Sequence, residues 1–172
     1  TTYTADLADA LNKAANGTTI TLLADTEISA YVNIYDETAT NADQMVVTLD
    51  LAGHTVTSSY KPIVIGADRN GTASHYGTLK IVGTGNITLD YATLNAREKG
   101  VLDLTGWTGE SISSVTVTRI GNTNEGKLIV GKDAGHIDSL AFYNWPSAEI
   151  TNTKLYGGSY GEITTIGSGT PS

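Results

Sequence analysis

Apolar and polar residues along this chain follow two different periods, and the switch comes early. Between Ala5 and Ala15, Leu7, Ala10, Leu11 and Ala14 recur at the spacing of one helix face, while Asp6, Asp9, Asn12 and Lys13 take the other. The pattern predicts an amphipathic helix over 5–15, with Thr4 as N-cap, Asp6 in the first turn and Asn16-Gly17 as the stop. Beyond Gly17 the period drops to two. In MVVTLDLAGHTV (45–56), Val47, Leu49 and Leu51 point one way, Thr48 and Asp50 the other, and Gly53 breaks the run. The same grammar predicts short strands at 18–23, 31–35, 45–51, 54–58, 62–66, 77–83, 85–90, 100–106, 114–121, 126–131, 136–143, 148–158 and 161–167.

Short strands at this density, bounded by Gly, Asn and Asp, make an all-β chain, and an antiparallel sandwich and a parallel solenoid share the signature. The solenoid is favoured. Two-residue hairpin turns are rare between the runs, and the runs vary one alternating, Gly-terminated unit. An irregular repeat of roughly 20–25 residues allows about six or seven coils. A solenoid has an open apolar end, and the helix at 5–15 is placed to cover it.

ADALNKAANGTTITLLADTEIS, followed by VTLDLAGHTVT, resembles a repeat unit of large secreted and cell-surface proteins of Gram-positive bacteria. That unit has a short helix, then G-T-T-I-T-L-L-x-D, then V-T-L-D-L-x-G-H-T. NTKLYGGSYGEIT (152–164) is similar to the I-x-G-G-x-Y/F-G rung of the same proteins. The resemblance covers 5–57 and 150–166. It implies a right-handed parallel β-helix (β-solenoid), pectate-lyase-like in shape, with a short N-terminal capping α-helix. It also implies an extracellular or cell-wall-attached location, with 1–172 a single module excised from a larger secreted protein. It implies a fold and a place more than an activity.

Composition narrows the function classes. The 172 residues suit one domain with a sizeable core. Ten basic against eighteen acidic side chains give a net charge of −8, which argues against nucleic acid and anionic membrane as partners. Cysteine is absent, so disulfides, thiolate chemistry and Cys-ligated zinc are excluded. No apolar run approaches the roughly 18 residues of a membrane span, so membrane insertion is not expected.

Candidate chemistry is sparse. Asp50 and His54 share one run, but such a pair at a rung corner satisfies turn amides, and that reading is preferred to catalysis. GGSYG (157–161) matches the G-x-S-x-G nucleophile elbow. A strand follows it where a helix is required, and the last histidine, His136, lies upstream, so Ser159 is set aside as a nucleophile. The histidines lack zinc spacing. No cofactor is required; Asp36, Glu37 and Asp43, in one loop, are the weak candidates for Ca²⁺. His136 and Asp138 lie two apart on one strand face, and with Asp103 they are the residues to test if the chain is an enzyme. Asp50, Asp90 and Asp103 recur in similar contexts, and a ladder of them would need a metal or a raised pKa.

Nine tyrosines against one phenylalanine point to rings whose hydroxyls meet water or ligand. Tyr143, Trp145, Tyr156 and Tyr160, crowded into the last third, are the residues expected to stack on sugar rings. In the competing reading Phe142 and Trp145 plug the C-terminal end. The expectation is a non-catalytic extracellular adhesion or binding module of a bacterial surface protein, engaging a glycan or a host surface protein, or serving as a structural stalk. The alternative is a small β-helix polysaccharide lyase or glycoside hydrolase.

Overall fold

The alternating runs become stacked rungs. The computed structural model describes residues 6–68, 70, 73–120, 124–143, 154–155 and 158–166. Helix α1 (Leu7–Asn12) leads into coil one, formed by β1 (Thr18–Thr21), β2 (Thr26–Ile28) and β3 (Val32–Ile34). Coil two is β4 (Val46–Asp50), β5 (Thr55–Ser59) and β6 (Ile63–Ile65), and coil three is β7 (Gly77–Val82), β8 (Asn86–Asp90) and β9 (Leu94–Ala96). Coil four is β10 (Gly100–Leu104) and β11 (Ser111–Ile120), with β12 (Asn124–Glu125) paired antiparallel on β11. Coil five is β13 (Lys127–Val130) and β14 (His136–Tyr143); coil six is β15 (Lys154–Leu155) and β16 (Ser159–Ile166).

One strand of each coil joins a six-stranded sheet ordered β1-β4-β7-β10-β13-β15, and the remaining strands form a ten-stranded sheet. Apart from β12, every ladder among the named strands is parallel. The fold is a β-solenoid with one short N-terminal helix. Inter-coil bonds measure the repeat: 30 residues from Asn16 to Val46, 24 from Leu89 to Ser113 and 23 from His136 to Ser159. The first two coils exceed the expected length, with 29 residues from Thr18 to Val47 and 32 from Val47 to Leu79, and from coil three onward the repeat is close to it, 23 residues from Leu79 to Leu102.

Apolar columns fill the interior. Val47, Leu79, Leu102 and Leu128 pair from rung to rung, and all four are fully buried. Each such side chain stabilises the fold by about 1.5–3 kcal/mol. Trp107 is fully buried as well, and its indole N–H donates to the Gly85 carbonyl of the preceding coil at 2.8 Å. Gly109 admits this packing, because a Cβ there would run into the Gly85 carbonyl and the indole nitrogen. Helix α1 is shorter than the expected 5–15. Its cap is Asp6, whose carboxylate accepts the Asp9 N–H at 3.0 Å from an extended backbone; Thr4 lies outside the described residues. Leu7, Ala8 and Leu11 are buried against coil one.

Polar side chains reach from one coil to the first amides of the next. The Asn16 amide oxygen accepts from Val46 N–H at 2.8 Å, and an Asp25 carboxylate oxygen from Thr55 N–H at 2.9 Å. The Asn86 oxygen takes both Glu110 and Ser111 N–H, at 2.9 and 3.1 Å.

The cross-section changes halfway along. Strand β11 pairs with β8 at Ile112–Ile87 and with β9 at Val115–Leu94. Residues 113–114 of coil four therefore cover the span that residues 88–93 take in coil three. Coils one to three turn a corner here, at 29–31, 60–62 and 91–93, whereas β11, β14 and β16 continue as unbroken strands.

Candidate functional site

The corners of coils two and three begin at Tyr60 and Tyr91. Both have positive φ, 60° and 55°. This left-handed backbone costs an L side chain about 1–2 kcal/mol, and glycine, followed by asparagine, tolerates it best. Tyr60 N–H donates to the Asp90 carbonyl at 2.9 Å, seating one corner on the next. The two rings stack with centroids 4.8 Å apart and planes 9° apart. They are nevertheless 63% and 83% exposed. Tyr31, 58% exposed, stands on the same corner of coil one, with the Lys61 ammonium 4.9 Å from its ring centre. Tyr31, Tyr60 and Tyr91 thus form a ridge along three coils. Its last corner is fixed to coil four at the base: Leu89 N–H donates to the Ser113 hydroxyl at 2.8 Å, and the Thr93 and Thr116 hydroxyls lie 3.0 Å apart.

The aromatic residues expected to bind fall elsewhere. Tyr143 ends β14 and is exposed. Tyr160 pairs with Ile137, joins the inward column and packs half-buried against the core, where burial raises its hydroxyl pKa. Tyr143 stands six residues beyond Ile137, the register partner of Tyr160, so the two rings lie roughly 20 Å apart along the strands and do not form one platform. Trp145 and Tyr156 lie outside the described residues.

The acids and histidines sort by rung. His136 and Asp138 share an outward face, with Nε2 and Oδ1 3.6 Å apart. His136 Nδ1 also lies 2.7 Å from the Ser159 hydroxyl, because β14 and β16 pair these residues directly. Stacking places an upstream histidine beside a downstream serine, so the chain order used to set Ser159 aside does not separate them in space. Asp103 does not join this group. It stands on the other sheet beside Lys80 and Ile129, and its carboxylate accepts Thr105 N–H at 2.9 Å. Asp50 plays the same local part, accepting Ala52 N–H at 2.9 Å, while His54 faces Asp25 at 3.5 Å. The ladder of Asp50, Asp90 and Asp103 is not formed: Asp50 pairs with Thr21 and Val82, and Asp90 pairs with Ser59 in the second sheet.

Asp36 is engaged locally. The Thr38 hydroxyl and the Thr38 N–H both donate to it at 2.7 Å, and in that order they hold its carboxyl below the ordinary value. Among the described residues no three acids or histidines are placed to hold a metal, so Asp36, Glu37 and Asp43 do not converge on one. Among them, too, no helix is long and apolar enough to cross a membrane. Glu98 is fully buried, with Oε2 3.0 Å from the Ser74 hydroxyl and 3.4 Å from Arg97 Nε, and with Oε1 lacking a hydrogen-bond partner. It fastens Ser74 to the turn before β10.

No family model, curated protein or solved structure matches this chain.

Sequence reasoning missed Tyr31, Tyr60 and Tyr91, yet a signal was present. Aligned on tyrosine, TVTSSYKPIVI (55–65) and NITLDYATLNA (86–96) are one repeat, with a strand before the ring and a triplet with apolar first and third residues at its end. The ladder registers Thr55–Asn86 and Ile63–Leu94 agree with that alignment.

Proposed function

We propose that the chain is a non-catalytic binding module, an adhesion element of a secreted or wall-attached bacterial surface protein, and that it holds a carbohydrate on the tyrosine ridge. The observation that carries this reading is the pair Tyr60 and Tyr91. Two successive coils keep a large ring in a left-handed conformation that suits glycine, and leave that ring in solvent. Strain retained at equivalent positions, with little burial in return, marks side chains kept for what they touch. Flat, exposed tyrosines present an apolar face and a hydroxyl together, which matches a sugar ring. Binding of the purified chain to an array of plant, microbial and host glycans, with and without Ca²⁺, tests the reading. Reproducible binding that Tyr91→Asn removes is the expected result, and binding indifferent to Tyr31, Tyr60 and Tyr91 would count against it.

A small polysaccharide lyase or glycoside hydrolase is the second reading. It draws on His136 between Ser159 and Asp138, an arrangement able to move a proton along a strand face. Release of sugar from a bound glycan, lost in His136→Ala, would favour it.

A further inference from the structure

We infer that the ridge has one ligand seat, under Tyr91 at its end, and that this seat takes a sugar carrying a free amine; the inference rests on the carbohydrate reading above. Tyr60 and Tyr91 lie 4.8 Å apart and nearly parallel, about the spacing of neighbouring strands, so the corners of coils two and three each add one ring to a stack that advances by one rung. Tyr60 covers one face of Tyr91. The other face looks toward coil four, where residues 113–114 continue β11 across this span and supply no ring. Among the described residues no ring continues the stack there, and Tyr91 is the most exposed large side chain of the ridge. The omission leaves a ledge one rung deep.

Tyr91 is the wall of this ledge. Its floor is the outward side of β11 and β14 around Ser113, Ser114 and Ser139, all partly exposed. A pyranose placed here continues the stack in the position a fourth corner would occupy. Its C–H face lies on Tyr91, and its hydroxyl edge meets the Ser114 hydroxyl. The glycosidic bonds leave in the plane of the ring, so the polymer runs along the strands rather than along the solenoid.

Charge selects the sugar. Asp90, next to Tyr91, is exposed, as are Asp138 on the floor strand β14, where it lies 3.6 Å from His136, and Glu162 one rung further on, paired with Ser139. Lys61 is turned to Tyr31, at the opposite end of the ridge. A uronate in the ledge meets like charge, whereas an ammonium is drawn by these carboxylates and by the Tyr91 ring face.

Calorimetric titration of the whole chain with oligomers of glucosamine, N-acetylglucosamine, glucose and galacturonic acid tests the seat, using wild type, Tyr91→Asn, Tyr60→Asn and Ser114→Trp. Glucosamine oligomers are expected to bind one per chain, and the neutral oligomers about tenfold more weakly. Galacturonate oligomers are expected not to bind. Tyr91→Asn removes the wall and Ser114→Trp fills the ledge, so each lowers affinity by about tenfold or more, while Tyr60→Asn costs less than about threefold. Circular dichroism checks that each variant is folded. Glycan binding that survives both Tyr91→Asn and Ser114→Trp overturns the seat and leaves the carbohydrate reading standing. Galacturonate or glucose bound as tightly as glucosamine overturns the amine preference. No binding of wild type to any oligomer, here and on the wider array, overturns both readings together.

Discussion

Replacing Tyr91 by asparagine separates a ring kept for binding from a ring kept for stability. The substitution relieves a left-handed tyrosine at φ 55°, recovering part of the roughly 1–2 kcal/mol such a backbone costs. It also removes the stack on Tyr60, about 0.5–1.5 kcal/mol and near the low end for rings this exposed. Little apolar burial is lost, because the side chain is 83% exposed. The opposing effects nearly cancel, and Tyr91→Asn is expected to change stability by no more than about 1 kcal/mol, or about 2–4 °C in Tm for a chain of this size. A buried aromatic removed from a core costs about 3–5 kcal/mol instead. Urea denaturation followed by circular dichroism measures the change. Tyr60→Asn and the double variant complete a cycle whose coupling should equal the stack, about 0.5–1.5 kcal/mol. A loss of about 3 kcal/mol or more from Tyr91→Asn alone would make the ring a structural element, and the inference from strain to binding would fail.

Three further outcomes are expected. Trp107→Phe leaves the buried Gly85 carbonyl without its donor and part of the indole volume empty, at a cost of about 2–4 kcal/mol in urea denaturation; a loss below about 1 kcal/mol would refute the role of that bond between coils three and four. Asn86→Ala strips the acceptor from two amides, so Glu110 and Ser111 should exchange their hydrogens faster while distant core amides are unchanged; equal rates would show that the cap is dispensable. Burial raises the Tyr160 pKa above its ordinary value of 10.0, so the contribution of its neutral hydroxyl is full below that value and is lost as pH rises through the higher folded pKa. Wild type should therefore lose stability above about pH 10 by a step that Tyr160→Phe lacks, and identical alkaline profiles would contradict this.

Much of the fold was legible because alternation and glycine punctuation are local. The run at 45–51 contains β4, and that at 136–143 coincides with β14. Strands β2 and β9 were not legible. TEI and LNA are three residues each and lack the flanking apolar or aromatic residues that mark β3 and β6, and their ladder partners on the neighbouring coil hold them extended. The helix was found, but its start was not, since Asp6 serves as cap where its place after Thr4 suggested a first-turn acid. The site was the harder part. Tyr143, Trp145, Tyr156 and Tyr160 look like a cluster because they are near in sequence, whereas Tyr60 and Tyr91 meet only after one full coil of chain. The same lateral logic brings His136 to Ser159 and keeps Asp103 away from both. In a solenoid the neighbours that matter lie one repeat away, and an irregular repeat hides them until the register is known.

Three of the polar tethers between coils share a direction. Asn16 and Asp25 precede the amides of Val46 and Thr55 that they receive, and Asn86 precedes those of Glu110 and Ser111. Each acceptor leaves the ribosome before the donor it will hold. At these junctions a growing chain thus meets a finished template with its acceptors already in place, and closes a loop of a few tens of residues rather than searching its whole length. These tethers favour assembly as a zipper from the helix-covered end, in the order of synthesis.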